Sequence, residues 1–220
     1  MPCIVFDMDG VLVDSERLVL RSWECVGREL GLGDMRELFF RCIGTTHAST
    51  QKRFAEIYGD RLDYQDFRDR TRVCYMEFTK NGVPLKPGVM ELLSWLKENG
   101  WRTAVASSSR EANVRRNMEE TGMGRYFDIL VCGDMLTASK PAPDIYLRAC
   151  AELSAEPSLA YAVEDSRNGI LSASAAGMKA LLVPDMVAPD EVMTRCASGI
   201  FPDLFAVRRF LEEQEGGTNA

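Results

Sequence analysis

Near the start of the chain, Asp7-Met8-Asp9-Gly10 follows directly on the apolar run Cys3-Ile4-Val5-Phe6. Carboxylates at i and i+2 of an extended segment share a face about 7 Å apart, and two ionised ones repel unless a cation or a proton intervenes. That pairing invites Mg²⁺, a hard ion that takes oxygen ligands and keeps waters for phosphate chemistry. Asp-x-Asp-Gly alone is a weak motif. Its weight comes from three further polar clusters that end or follow apolar runs: Ser107-Ser108-Ser109-Arg110, Lys140-Pro141-Ala142-Pro143-Asp144 and Glu164-Asp165-Ser166. Taken singly, Ser108, Ser109, Asp165 or Ser166 reads as a helix cap, and Lys140 as a surface charge beside a proline turn. Taken together, they bring acids, hydroxyls and a lysine to one sheet edge, which unrelated caps do not explain.

The elements that must position these groups are short apolar runs bounded by turn signals: 3–6, 103–106, 129–132, 159–163 and 180–183. Such runs read as buried parallel strands. Amphipathic stretches lie between them. Pro87 to Asn99, for example, carries Val89, Leu92, Leu93 and Leu96 at helical spacing and stops at Gly100. The fold class expected is therefore α/β, a doubly wound parallel sheet whose ligand crevice lies at the carboxyl ends of the strands. The first two runs start 100 residues apart, at 3 and 103, too far for one crossover helix. Helical patterns fill that gap, so residues 16–85 are expected to form an inserted helical domain, with 1–15 and 86–220 as the core. The inserted aromatics Phe39, Phe40, Phe54, Tyr58, Tyr64, Phe67, Tyr75 and Phe78 are expected to form its core, and the acidic run Glu212-Glu213-Gln214-Glu215 to be a solvated helix end.

Composition narrows the chemistry. The 220 residues include one histidine, His47, so a zinc site with two imidazoles is excluded and a Ser-His-Asp site would need His47 itself. Acid–base work falls to carboxylates. A net charge of −7 argues against a broad nucleic-acid or anionic-lipid surface. No run approaches the roughly 20 apolar residues of a membrane span, and the first residues turn acidic too soon for a signal peptide. Seven cysteines without a Cys-x-x-Cys pair suit reduced thiols in a cytoplasmic protein.

The stretch Asp7 to Glu16, with Ser107, Lys140-Pro141-x-Pro143 and Glu164-Asp165-Ser166-x-x-Gly169, resembles the haloacid dehalogenase superfamily. Within it, the chain is similar to the helical-cap branch that holds β-phosphoglucomutase and sugar-phosphate phosphatases. The resemblance implies a Rossmann-like core, a cap and Mg²⁺. It implies that Asp7 attacks phosphorus to form an aspartyl-phosphate, and that Asp9 serves as general acid and then base. Ser107 and Lys140 would hold the phosphoryl group. Asp7, Asp9 through its backbone carbonyl, and Asp165 would hold the metal, with Glu164 supporting it. Asp9 argues for an oxygen leaving group, since halide leaves without a proton.

The substrate implied is a small phosphomonoester, a sugar or polyol phosphate, with Ser108, Arg110 and His47 on the substrate side. Hydrolysis is favoured over mutase chemistry because the mutase's cap histidine and phosphate-gripping arginine are replaced here by Val19 and by the Gly44-Thr45-Thr46-His47 stretch. Lys52, Arg53, Arg70 and Arg72 are the cations that could replace that grip. No nucleic acid or membrane partner is expected. A mobile cap needs free surface, so a monomer is expected.

Overall fold

The computed structural model describes residues 1–43 and 47–216, which divide into two compact units, Met1–Asp14 with Val83–Ala220 and, between them in sequence, Ser15–Gly82.

The larger unit is built on six parallel strands: β1 (Cys3–Phe6), β2 (Arg102–Ser107), β3 (Ile129–Cys132), β4 (Tyr161–Glu164), β5 (Lys179–Leu182) and β6 (Gly199–Ile200). Their order is β3-β2-β1-β4-β5-β6. The chain leaves β1 toward β2 on one side and pairs it with β4 on the other, so the sheet reverses direction at β1. The crevice of an open parallel sheet lies at such a reversal, and Asp7 is the first residue beyond β1. The sequence reading lacked β6, whose two residues give no pattern to read.

Cys3, Val5, Ala104, Ala106, Ala162, Ala180 and Leu182 share one buried cluster with Ile145, Tyr146, Ala149 and Ile170. These last come from α7 (Asp144–Glu152) and α8 (Arg167–Ala175), which therefore cover one face of the sheet. Small alanines on the central strands let those helices approach closely. The remaining helices of the unit are α5 (Val89–Glu98), α6 (Glu111–Thr121), α9 (Glu191–Cys196) and α10 (Leu204–Gly216). α10 sets Phe210 edge-on to Tyr161. Its last turn is not simply solvated as expected: Trp101 Nε1 donates to Glu215 Oε1 at 2.6 Å.

The smaller unit contains α1 (Ser15–Glu29), α2 (Arg36–Cys42), α3 (His47–Tyr58) and α4 (Tyr64–Phe78). Trp23 stands edge-on to Phe39, Phe54 and Phe67, with centroids 5.2, 5.2 and 5.4 Å away. Asp63 caps α4 by accepting from the amides of Gln65 and Asp66. Three aromatics depart from the expected core: Tyr75 lines a cavity and Phe78 lies under the Arg21 guanidinium, both only half-buried, and Phe40 points outward. Phe40 is 43% exposed because its neighbour Phe39 takes the inward face of a short helix, and adjacent helical residues cannot share a face.

The division after Gly82 has a local cause. Asp14 N donates to Pro84 O at 2.8 Å, Lys86 N donates to Leu12 O at 3.0 Å, and Val13 pairs with Leu85, so residues 83–86 are zipped to the segment after Asp9.

Candidate active site

Asp7 leaves the sheet through its own amide, which donates to Val163 O at 2.9 Å. The chain then turns tightly, with Leu12 N and Val13 N both donating to Met8 O. Gly10 sits at φ +83°, and a Cβ there would collide with the Asp165 carboxylate. A glycine is needed on both counts. Gly169 is required for a similar reason, because a Cβ on the first turn of α8 would fall on the Glu164 carboxylate. The Glu164-Asp165-Ser166-x-x-Gly169 spacing thus has a physical origin: the helix start must pass over a buried acid.

Lys140 joins the strand ends. Its Nζ donates to Asp7 Oδ1 and Glu164 Oε1, each at 2.6 Å, and to Ala106 O at 2.9 Å. Tyr146, from α7, donates to the same Glu164 Oε1 at 2.7 Å. Glu164 Oε2 accepts from Asp165 N, Ser166 N and Ser166 Oγ. Glu164 is fully buried, and these partners satisfy both of its oxygens. Ser166 also caps α8 through Gly169 N. Farther out, Ser109 Oγ donates to Asp9 Oδ2 at 3.0 Å, and Ser109 N donates to Ser107 Oγ at 3.1 Å.

Burial dominates the electrostatics here. It pushes Asp7 up to about 8, Glu164 and Asp9 push the same way, and Lys140 offsets only part of this. Burial alone would lower Lys140, but Asp7 and Glu164 hold it above its ordinary value. Tyr146 is raised well above the phenol range by burial and then by Glu164, so it remains a donor. Two acids, Asp7 and Glu164, thus meet one lysine. Oxygens of Asp7, Glu164 and Asp165 lie within 4.8 Å of one another, a hard donor set that fits a Mg²⁺-sized cation.

The structure therefore gathers Asp7, Asp9, Ser107, Lys140, Glu164 and Asp165 around one strand-end crevice. Ser108 and Arg110 are exposed beside it, and Arg110 precedes α6 without capping it through its side chain. His47 opens α3, but its side chain lies outside the described residues, as do Gly44–Thr46. One participant, Tyr146, is absent from the sequence reading of the site, and Ser109 stands there only within the serine cluster, with no role of its own. Tyr146 gave one signal: it is an inward residue on the first turn of the helix that begins after Lys140-Pro141.

The smaller unit contains a cavity of about 390 Å³ whose lining includes Glu16, Val19, Trp23, Tyr64, Arg68 and Arg72. Of the four cations considered for a second phosphate, Arg72 lines this cavity, whereas Arg70 is turned to Asp66. No helix among the described residues is long and apolar enough to cross a membrane.

A family model described as haloacid dehalogenase-like hydrolase matches residues 4–183. Protein CbbY of Rhodobacter capsulatus is 31% identical over 194 residues, covering 84% of this chain and 86% of its own length. A phosphorylated carbohydrates phosphatase of Thermotoga maritima is 27% identical over 179 residues, 81% of this chain and 83% of that protein. A hydrolase of Deinococcus radiodurans, crystallised with phosphate and sodium, has the same fold at a TM-score of 0.83 and 27% identity over 97% of this chain and 96% of that one.

Proposed function

The chain belongs to the haloacid dehalogenase-like hydrolase family and is a phosphoric monoester hydrolase; we propose that its substrate is a small sugar or polyol phosphate and that the reaction passes through an aspartyl-phosphate on Asp7. The observation that carries this reading is the bridge of Lys140 to both Asp7 and Glu164 at 2.6 Å, with Asp9 held separately by Ser109 at 3.0 Å. Two carboxylates in different environments suit two roles. Two relatives point to the substrate class, since one is named a phosphatase of phosphorylated carbohydrates and a similar solved structure holds phosphate.

Asp7 attacks phosphorus while the bond to the leaving oxygen breaks, and Asp9 gives that oxygen a proton. Asp9 then takes a proton from the water that attacks the aspartyl-phosphate. Ser109 fixes which way Asp9 faces. Lys140 steadies the Asp7 carboxylate and offsets charge on the phosphoryl oxygens. Ser107 accepts from Ser109 N and keeps its own hydroxyl proton to donate to the phosphoryl group. Glu164, engaged by Lys140, Tyr146 and the loop amides, acts as a positioning residue behind Asp165. Asp7, Asp165 and the Asp9 carbonyl would hold Mg²⁺, which when bound supplies positive charge to the transferring phosphoryl group.

The test is phosphate release from a panel of sugar and polyol phosphates, with Mg²⁺ and with a chelator. Sugar bisphosphates belong in the panel because Arg68 and Arg72 line the cavity of the smaller unit. Release should require Mg²⁺ and fall by at least about 10³-fold in Asp7→Asn. Retained turnover in that variant would remove Asp7 as nucleophile. Conversion of β-glucose 1-phosphate to glucose 6-phosphate with a bisphosphate activator, and no phosphate release, would make the enzyme a mutase.

A further inference from the structure

A second group of metal-ligating side chains lies wholly within the smaller unit. Cys25 and Glu29 are one turn apart on α1 and share a face, and α4 brings Cys74 against them. Cys74 Sγ is 3.5 Å from Cys25 Sγ, Cys25 Sγ is 3.8 Å from Glu29 Oε1, and all three ligand atoms lie within 4.8 Å of one another. We propose that Cys25, Glu29 and Cys74 form a binding site for a thiophilic divalent cation of the zinc class, separate from the acidic cluster at the strand ends.

The argument is one of shape and donor chemistry. With metal–sulfur bonds of about 2.3 Å and metal–oxygen bonds of about 2.0 Å, a tetrahedral site has S–S edges of about 3.8 Å and S–O edges of about 3.5 Å. The two measured separations, 3.5 and 3.8 Å, each differ from these by about 0.3 Å. Two sulfurs select against Mg²⁺ and Ca²⁺, which prefer oxygen. Three protein ligands leave the fourth position to water, which can reach the site because both cysteines are half-buried and Glu29 is exposed. Glu29 also separates this reading from a simple dithiol pair, since a disulfide between Cys25 and Cys74 would make no use of a carboxylate facing the sulfur. Binding balances as the two thiol protons released to solvent for each cation taken up. The bound ion would tie α1 to α4 and stabilise the smaller unit by mass action.

The test uses the reduced full-length protein titrated with Co²⁺. Thiolate ligation gives intense near-ultraviolet charge-transfer absorption and tetrahedral visible bands, whereas an oxygen-only site gives neither. The expected result is one equivalent of thiolate-bound Co²⁺, displaced by Zn²⁺, lost in Cys25→Ser and in Cys74→Ser, and retained in Asp7→Asn. Glu29→Gln, a change at an exposed position that leaves both thiols in place, should weaken binding about tenfold. The proposal fails if the wild-type protein shows no charge-transfer band, or if the band survives in the Cys25→Ser/Cys74→Ser double variant. It also fails if peroxide joins the two cysteines in a protein that takes up no metal.

Discussion

In the larger unit Lys140 lies 2.6 Å from both Asp7 and Glu164 with its side chain 6% exposed, whereas in the smaller unit Arg70 reaches Asp66 at 2.9 Å with both side chains about half exposed. The distances are alike and the energetics are not. Around Lys140 the acids have lost water, so each depends on its partners, and removing one leaves charge with nowhere to go. Around Arg70 water does most of the solvating, and the pair adds little. The strand ends thus concentrate electrostatic strain at the candidate site, while the helices of the smaller unit are held by apolar contacts such as those around Trp23. The nucleophile proposed here, Asp7, would have to ionise while buried, and the first arrangement suits that.

The sharpest way to break this contrast is Lys140→Met. At pH 8 it should abolish turnover and destabilise the protein by about 3–5 kcal/mol, the usual cost of leaving one side of a buried pair unmatched. Urea unfolding at pH 8 measures the stability change, and phosphate release measures the turnover. A cost below about 1 kcal/mol at pH 8 would mean that water reaches the acids and that the two regions differ less than their burial implies.

A smaller effect follows from Asp7 itself. Burial, then Glu164 and Asp9, raise it from 3.8 to about 8, so between those values the folded chain keeps a proton that the unfolded chain has lost. Stability from this group is therefore present below about pH 4 and lost as pH rises through 8, by up to about 1.4 kcal/mol per pH unit. In chelator-treated protein the unfolding free energy should fall from pH 6 to pH 7. Asp7→Asn or saturating Mg²⁺ should flatten that slope. An equal slope in Asp7→Asn would place the proton elsewhere.

The two regions also differ in how far they can be read from sequence. At the strand ends a motif position is nearly a coordinate, because a parallel strand delivers its next residue to the crevice whatever the surroundings. Asp7, Ser107, Glu164 and Asp165 were legible for that reason, whereas Lys140, in the loop eight residues past β3, was legible only from its Lys-Pro-x-Pro motif. Tyr146 was not, since a tyrosine one turn into a helix looks like any core aromatic until the buried Glu164 is seen beneath it. Ser109 was hidden among three serines, and only the turn after β2 decides which one faces Asp9. In the smaller unit, helical periodicity shows which side is apolar but not what a cavity collects. Arg68 and Arg72 line the cavity while Arg70 points to Asp66, an outcome of helix packing that charge counting does not reveal. Cys25 and Cys74 lie 49 residues apart in sequence and meet only when α1 and α4 pack.

The smallest expected effect tests the other half of the comparison. Arg70→Ala removes an i,i+4 pair on α4 whose members are 48% and 49% exposed. Asp66 keeps its hydration in the variant, and the entropy lost in ordering the Arg70 side chain is no longer incurred. The change in unfolding free energy should stay under about 0.5 kcal/mol and vanish in 0.5 M salt, where screening reaches only a few ångströms. Phe54→Ala in the same unit should cost far more, about 3–5 kcal/mol, because Phe54 is 2% exposed and packs against Trp23 and Phe67. If Arg70→Ala instead cost as much as Phe54→Ala, charge rather than apolar packing would hold the helices together, and the contrast with the strand ends would collapse.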